Sequence, residues 1–431
     1  MIFKSMTYRE ANRRLNERMM FGMKLGLGNM RRLLKKLDNP ERRFRTIHIA
    51  GTNGKGSTAA MLASMLTGNG FRTGLYTSPH ISTVRERMNI DGRMIGRDDF
   101  ARLFARLETY FSAIPATYFE CVTALAFFWF SERSVDTAVI EVGMGGWYDA
   151  TNVIEPVCTV ITSIGFDHME YLGATLADIT REKCGIIKKG VPVVTGVVDP
   201  QHRSIIRRTA EKRAAPFFGS DSLTGISQIR STQTENSFHV SLNDRLNYSF
   251  NLPLAGSFQI DNARTAITVM QVLSMTGYEI ELEKLSAGME KVEWTERFML
   301  YRRTPDMIID VAHNTPGFEM LCSEIRNLYP GKRVILLVGM KEEKDCEKVC
   351  RAIIPVCDSV IGIPLPGVKS VSQKRFSAIF QEAGLPFTYF SSIHKGVRNA
   401  HDRAGRNDLI VYAGSHYAVD RVKKVVNSLD W

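Results

Sequence analysis

Seven consecutive residues, Gly51-Thr52-Asn53-Gly54-Lys55-Gly56-Ser57, combine the groups that hold a polyphosphate. Glycines let the backbone approach a ligand closely, so successive N–H groups can surround phosphate oxygens. Lys55 would balance phosphate charge and Ser57 offers a hydroxyl to a metal ion. The spacing departs from the common G-x-x-x-x-G-K-[ST] loop, because Ile49 stands at the first glycine position and Gly56 separates Lys55 from Ser57. Glu141 ends the apolar run Thr137-Ala138-Val139-Ile140. A carboxylate there would lie at the carboxyl edge of a buried strand, where a metal ligand belongs, although a strand-end acid needs no ligand to explain it. His168, taken alone, reads as a structural histidine, since imidazole is an uncommon magnesium ligand. Lys183, beside Glu182, reads alone as a helix-surface lysine, Phe119 equally as a core aromatic, and His313 equally as a core or capping residue.

The elements that must position these groups are legible around them. Residues 46–50 predict a short buried strand and 57–66 a helix, so the glycine-rich segment is a strand-to-helix turn. Further buried strands are expected at 137–142 and 157–164 with helical patterns between them, which makes an α/β domain with a mostly parallel sheet. Alternating segments between 220 and 252 predict a small antiparallel β excursion. After Arg297 a second series begins, with strands at 307–311, 333–338, 359–363 and 409–413, the pattern of a smaller Rossmann-like α/β domain. The joint is placed between Lys291 and Arg297, giving an ATP-binding domain over 1–294 and a second domain over 295–431.

The segment HIAGTNGKGSTAA resembles the phosphate loop of the Mur ligase superfamily, most closely that of its folylpolyglutamate synthase and dihydrofolate synthase members. Other motifs follow in the same order: Thr77-Ser78-Pro79-His80, Phe119-Glu120, Glu141 to Gly146 with Asp149-Ala150-Thr151-Asn152, Asp167-His168, Glu182-Lys183-Cys184-Gly185-Ile186, Gln259 to Ala263, and Asp310-Val311-Ala312-His313-Asn314. The set spans roughly residues 20–320 and continues more weakly through Ala413-Gly414-Ser415.

This resemblance implies an ATP-dependent acid–amino-acid ligase of folate metabolism that joins glutamate to dihydropteroate or a reduced folate through an acyl phosphate. It assigns Gly51 to Ser57 to ATP, with Asn262 on the adenine, Arg297 on a phosphate and Asp310 on the ribose. Magnesium would be held by Ser57, Ser78 and Glu141, with His168 on a second ion. Lys183 would be carbamylated, turning an ammonium into an anion able to share magnesium. His313 would steer phosphate or accept a proton from the amine. Thr117, Tyr118, Phe119, Glu120, Tyr148, Asp149 and Ala150 would hold the pterin, Phe119 by its ring face and Asp149 by its carboxylate. Closure of the second domain would complete the site and exclude water from the acyl phosphate. The chain departs from the family pattern at Trp147-Tyr148, usually Arg-Leu, at Thr295-Glu296, where a glycine commonly precedes the arginine, and at Lys24, where an aspartate is often found.

The whole chain agrees with that class. Its 431 residues suffice for two cores, and 44% hydrophobic with 23% charged residues is an ordinary globular balance. The N-terminal stretch has no apolar h-region and the longest apolar run, 124–130, is too short to span a bilayer, so a cytoplasmic protein without a membrane partner is expected. Seven scattered cysteines without paired CxxC units predict reduced thiols rather than a zinc site. The net charge of +11 is concentrated in the first 45 residues among Leu and Met at helical spacing, which reads as a solvated helix face; no aromatic platform accompanies it to bind nucleic acid. The expected partners are ATP, glutamate and the folate-type acid, acting on a monomer. Two rivals stand beside this reading. Another Mur-type ligase, acting on a cell-wall precursor or polyglutamate, would carry a uridine-binding domain before the loop, where only residues 1–45 precede the first strand. A P-loop ATPase binding nucleic acid would leave Lys183, Asp310 and His313 without a task.

Overall fold

The structure is a computed structural model that describes residues 6–22, 26–242 and 246–431. Lys24 lies outside the described residues. The chain divides into two compact units, Met1–Ser227 with His239–Phe250 and Asp261–Glu293, and Gln228–Phe238 with Asn251–Ile260 and Trp294–Trp431.

The first unit is built on eight strands: β1 (Arg45–Ala50), β2 (Thr73–Tyr76), β3 (Met88–Ile90), β4 (Arg93–Met94), β5 (Thr137–Glu141), β6 (Cys158–Ile161), β7 (Val193–Thr195) and β8 (Phe217–Gly219). Their spatial order is β4-β3-β2-β5-β1-β6-β7-β8. Every pairing from β2 to β8 is parallel, and β3 and β4 add an antiparallel edge. The central strands are buried throughout, which is why Ile47-His48-Ile49-Ala50 and Ala138-Val139-Ile140 read as continuous rather than alternating apolar runs. Register sets the functional edge. Ile49 lies beside Glu141, Ala50 beside Ile161, and Tyr76 beside Ile140, so β1, β2, β5 and β6 end together. The chain leaves β1 toward β2 on one side and later crosses from β5 to β6 on the other, so the strand order switches direction at β1, the position where α/β proteins open a ligand crevice.

Two boundaries beside the glycine-rich turn differ from the sequence expectation. Strand β6 stops at Ile161 instead of 164 because Thr162 and Ser163 turn their hydroxyls to the Asn53 carbonyl, at 2.7 and 2.9 Å. The helix after the loop starts at Lys55, two residues early, because left-handed Gly54 (φ 81°) caps it and lets Lys55 and Gly56 take helical form. Strands Thr224–Ser231, Asn236–Leu242 and Leu246–Leu252 make a separate three-stranded sheet in that sequential order. The short link from Ser231 to Asn236 requires its first pair to be antiparallel.

In the second unit the sheet order is Met299–Arg302, Asp306–Ile309, Leu409–Ala413, Val334–Val338, Ser359–Gly362, Phe387–Tyr389. All pairings are parallel except the first. Helices Thr315–Leu328, Cys346–Ile353 and Gln373–Glu382 bury Phe318, Val349 and Phe376 in one core with Leu336 and Val360. This is the expected smaller Rossmann-like domain. All seven cysteines are buried free thiols. Among the described residues no helix is long and apolar enough to cross a membrane.

Candidate active site

Strand β1 delivers the chain into the glycine-rich turn, and the residues after β6 hold that turn in shape. Thr52 N–H donates to the Ser163 carbonyl at 2.9 Å and its hydroxyl donates to the Gly165 carbonyl at 3.0 Å. Asn53 N–H donates to Ser163 Oγ at 2.9 Å. A side chain at Gly54 would be doubly excluded, by the positive φ and by Asn262 Oδ1 2.2 Å from where a Cβ would stand. That close approach places Asn262, at the start of the Phe258–Met275 helix, directly on the turn. At Gly51 a Cβ would stand 1.9 Å from Thr162 Oγ1. Gly54 contributes no side-chain cap to the following helix, so its first N–H groups and its dipole face outward for an anion. Lys55 Nζ curls over the turn, donating to the carbonyls of Gly51 (3.0 Å) and Thr52 (2.9 Å).

Two further groups meet this turn. Glu141 ends β5, is 4% exposed, and its Oε2 accepts the Ser78 N–H at 2.9 Å. Buried Ser57 and the Ser78–Glu141 pair thus stand on the carboxyl ends of three neighbouring strands. Lys183 ends the Leu176–Lys183 helix, is also 4% exposed, and donates to the same Gly51 carbonyl at 2.8 Å. Burial, reinforced by the Lys55 charge, lowers its ammonium from 10.5 to about 7, against the opposing pull of Asp167 and Glu182. Burial thus favours the free amine of Lys183 over its ammonium relative to an exposed lysine. His168 occupies a left-handed position (φ 50°) at the start of the Met169–Leu172 turn, its Nε2 3.8 Å from Asp167 Oδ1. Among the described residues no three His, Cys, Asp or Glu side chains cluster as a metal cage. The donor set of one carboxylate plus hydroxyls fits magnesium, which keeps several waters and takes its remaining oxygens from substrate phosphates.

The acid-substrate candidates separate into groups that are available and groups already committed. Thr117 and Glu120 form a capping box at the head of the Tyr118–Glu132 helix, the Glu120 carboxylate accepting Thr117 N–H at 2.8 Å. Phe119 lies so close to the backbone beyond β5 that a Cβ on Gly143 would come within 2.5 Å of its ring. Tyr148 and Trp147 are exposed, and Trp147 is fastened by its N–H to Glu182 Oε1 (3.1 Å) and by its indole N–H to the Arg181 carbonyl (3.2 Å). Gly185 packs directly under that ring, which explains how a tryptophan fits there.

Asp149, expected on the pterin side, also holds its own loop together. It is buried and accepts the N–H groups of Met144 (2.9 Å, on Oδ2) and Thr151 (3.0 Å, on Oδ1) and the Thr151 hydroxyl; burial raises its pKa. Its task is to brace the loop that carries Tyr148 and Ala150. Thr151 Oγ1 also meets His48 Nε2 at 2.8 Å, so a buried chain His48–Thr151–Asp149 ties β1 to this loop. Burial lowers His48 to about 3, leaving a neutral ring. Thr151→Val should cost about 2 kcal/mol, because the His48 nitrogen loses its partner in the interior and Asp149 Oδ1 keeps only the Thr151 N–H; urea denaturation measures it, and a loss under about 0.5 kcal/mol would show the chain to be unimportant. Sequence reasoning missed His48, Thr151, Thr162 and Ser163 as parts of the site, since buried strand residues and loop hydroxyls carry no local signal of what they grip.

In the second unit, Asp310 is buried at the end of the Asp306–Ile309 strand and accepts Phe298 N–H (2.7 Å) and Ala312 N–H (2.6 Å). Burial raises its pKa while the Arg297 charge works against that rise. Asp310 therefore fixes the segment around Arg297. Glu296 and Phe298 flank Arg297 with φ of 59° and 48°, the left-handed region that a glycine enters freely. The departure from glycine at Glu296 is offset by its own carboxylate, which is buried against Lys423 Nζ and the Thr295 hydroxyl. His313 Nδ1 lies 2.9 Å from the Val311 carbonyl, the geometry of an Nδ1–H donor, and Asn314 caps the next helix through Gly317 N–H at 2.9 Å.

Comparisons with known proteins agree with this geometry. A family model described as the Mur ligase middle domain matches residues 49–270, and one described as the Mur ligase glutamate ligase domain matches residues 296–416. The dihydrofolate synthase/folylpolyglutamate synthase of Bacillus subtilis is 31% identical over 97% of this chain and 98% of its own length. The chain belongs to the folylpolyglutamate synthase/dihydrofolate synthase family. Its structure is similar to that of E. coli FolC in complex with DHPP and ADP, with TM-score 0.86, 27% identity and coverage of 97% of this chain and 98% of that one. It is similar also to Mycobacterium tuberculosis folylpolyglutamate synthase complexed with ADP and AMPPCP, with TM-score 0.87, 27% identity and 98% coverage of both. A further structure in this family, bifunctional folylpolyglutamate synthase/dihydrofolate synthase with Mn, AMPPNP and L-glutamate bound, matches with TM-score 0.85 at 27% identity, covering 98% of this chain and 100% of that one. This folylpolyglutamate synthase/dihydrofolate synthase relative is accordingly an ATP-dependent ligase, and the readings as a cell-wall ligase or a nucleic-acid-binding ATPase fall away.

Proposed function

We propose that this chain joins the amino group of glutamate to the carboxyl group of dihydropteroate or a reduced folate (poly)glutamate. The observation that carries the reading is the convergence of Lys55 and Lys183 on the Gly51 carbonyl, beside the Ser78–Glu141 pair, at the carboxyl ends of adjacent strands. A carboxylate and an amine do not condense in water unaided. The acid oxygen attacks the γ-phosphorus of ATP, ADP leaves, and the acyl phosphate carries an activated carbonyl. The glutamate amine then attacks that carbonyl, loses a proton, and inorganic phosphate departs. Lys55 and the helix N-terminus neutralise charge on the transferring group, which is the main demand of such a transfer.

Ser57, Ser78 and Glu141 are the residues we assign to one magnesium ion and His168 to a second; bound there, magnesium supplies neutralisation of the phosphate oxygens. The lowered ammonium of Lys183 supports its carbamylation: the neutral amine adds to carbon dioxide, a nitrogen–carbon bond forms, one proton is released, and the side chain becomes an anion. We assign Asn262 to adenine, Arg297 to a phosphate, Asp310 to ribose and His313 to steering phosphate or the amine proton, with sequence likeness as the support. Thr117 to Glu120 and Tyr148 to Ala150 are assigned to the pterin side, with Phe119 offering the stacking face and Asp149 a carboxylate. The ATP-binding domain is taken as 1–294 and the glutamate ligase domain as 295–431. The reading is of a monomer in the cytoplasm, a setting the seven free thiols support, without a nucleic-acid partner.

Phosphate release from MgATP and glutamate should require an acid, and it is compared with dihydropteroate, tetrahydrofolate and no acid. Turnover that is independent of the acid would sink the ligase reading, and turnover with only one acid would assign the specificity.

A further inference from the structure

Arg87 closes the short Val84–Arg87 turn just before β3 and is 8% exposed. Its Nε–H donates to His80 Nδ1 at 2.9 Å, and its guanidinium carbon stands 5.6 Å from the centre of the Tyr118 ring. Among the described residues these are its direct side-chain partners, and neither is a carboxylate. The acids around it are employed elsewhere. Glu86 accepts the N–H groups of Ile81 (2.7 Å), Ser82 (2.9 Å) and Thr83 (2.7 Å). Glu120 accepts Thr117 N–H, Glu141 accepts Ser78 N–H, and Asp149 holds Met144 and Thr151.

A guanidinium taken out of water without a counter-ion is costly, so a fold that keeps one is keeping it for an anion that arrives from outside. Its planar fork suits a carboxylate, which it can grip through two parallel N–H bonds. Position decides whose carboxylate. The Arg87 carbonyl accepts Thr77 N–H at 3.1 Å, which sets Arg87 beside the Thr77–Ser78 segment and hence the Glu141 end of the site. Its ring partner Tyr118 precedes Phe119, which packs on Gly143. Arg87 thus touches both the phosphoryl-transfer end and the aromatic end, and the only part of the acid substrate that must reach from one to the other is its reacting carboxylate.

We propose that Arg87 is the anchor for the carboxylate of the acid substrate, gripping it before ATP acts and so selecting acids over their uncharged counterparts. The inference rests on the proposed function above.

Calorimetric binding of dihydropteroate and of its carboxamide to the full chain, without ATP, tests it. The unaltered chain should bind the acid at least ~10-fold more tightly than the amide, the ratio a charge-assisted bidentate pair supplies. Arg87→Met should erase that preference by weakening the acid alone, and should leave the KM for glutamate within about twofold. Its ligand-free melting temperature should equal or exceed that of the parent, because an unpaired buried cation has been replaced by an apolar chain. Arg87→Lys, which keeps the charge but not the fork, should retain a reduced preference for the acid. Undiminished discrimination in Arg87→Met would overturn the proposal, as would equal loss of acid and amide binding with a lowered melting temperature, or a rise in glutamate KM alone. An unaltered chain that turns over with no acid at all would instead defeat the functional reading.

Discussion

Lys55→Ala should lower kcat by about a thousandfold, equivalent to about 4 kcal/mol of transition-state stabilisation. The reason is positional. Among the described residues the ammonium has no acid partner; it rests on the Gly51 and Thr52 carbonyls at the mouth of the turn, from which it can swing to phosphate oxygens with little loss. Removing it deprives the γ-phosphoryl group of a cation while the loop stays braced by Thr162, Ser163 and Gly165. The variant should therefore melt near the parent temperature and still bind the acid. Phosphate release under saturating ATP, glutamate and acid is the measurement. Retention of more than a tenth of the parent rate would remove Lys55 from phosphoryl transfer.

Lys183→Ala should cost about a hundredfold or more in kcat, and formate or acetate should return part of the loss, since a small carboxylate can take the place of the missing carbamate. An alanine variant at the parent rate, or one indifferent to added carboxylates, would rule out the carbamate. The lowered ammonium gives this prediction a pH signature. Below about pH 7 Lys183 is protonated and does not add carbon dioxide; above it the amine is free, so bicarbonate-dependent activation of the parent should rise through neutrality and be absent from the variant. Stability carries the same sign. Between about 7 and the ordinary value of 10.5 the unfolded chain binds more protons at this position than the folded one, so without bicarbonate its contribution to stability improves as pH rises through that window. Below pH 7 the full cost of burying the ammonium is present. Lys183→Ala should flatten that slope in denaturation experiments, and an unchanged slope would place the depressed ammonium elsewhere.

Local rules carry far in this chain. Gly51 to Ser57 reads as an anion-binding turn because glycine spacing, a lysine and a strand-to-helix change are all contained within about a dozen residues. The apolar run ending in Glu141 reads as a strand with an acid at its edge for the same reason. Parallel strands and a second α/β domain follow from buried runs separated by helical periodicity, and a family resemblance spread over eight segments names the chemistry. The end of β6 differs from the sequence expectation because hydroxyls at Thr162 and Ser163 bond the Asn53 carbonyl, a choice that depends on a loop more than a hundred positions away.

Assignments that depend on what a side chain faces were beyond the sequence. That Asp149 braces its own loop through three donors is visible only in the fold. Arg87 carries no local signal in the sequence; burial without a carboxylate partner among the described residues sets it apart, and burial is a property of the folded chain alone. Sequence by itself determined the phosphate loop, the order of elements and the class of reaction, since each resides in short stretches of chain. Tertiary structure decided which charges are paired, which lysine has its ammonium disfavoured by burial and which acids accept bonds from their own loops, because desolvation and hydrogen-bond competition arise only where distant segments meet.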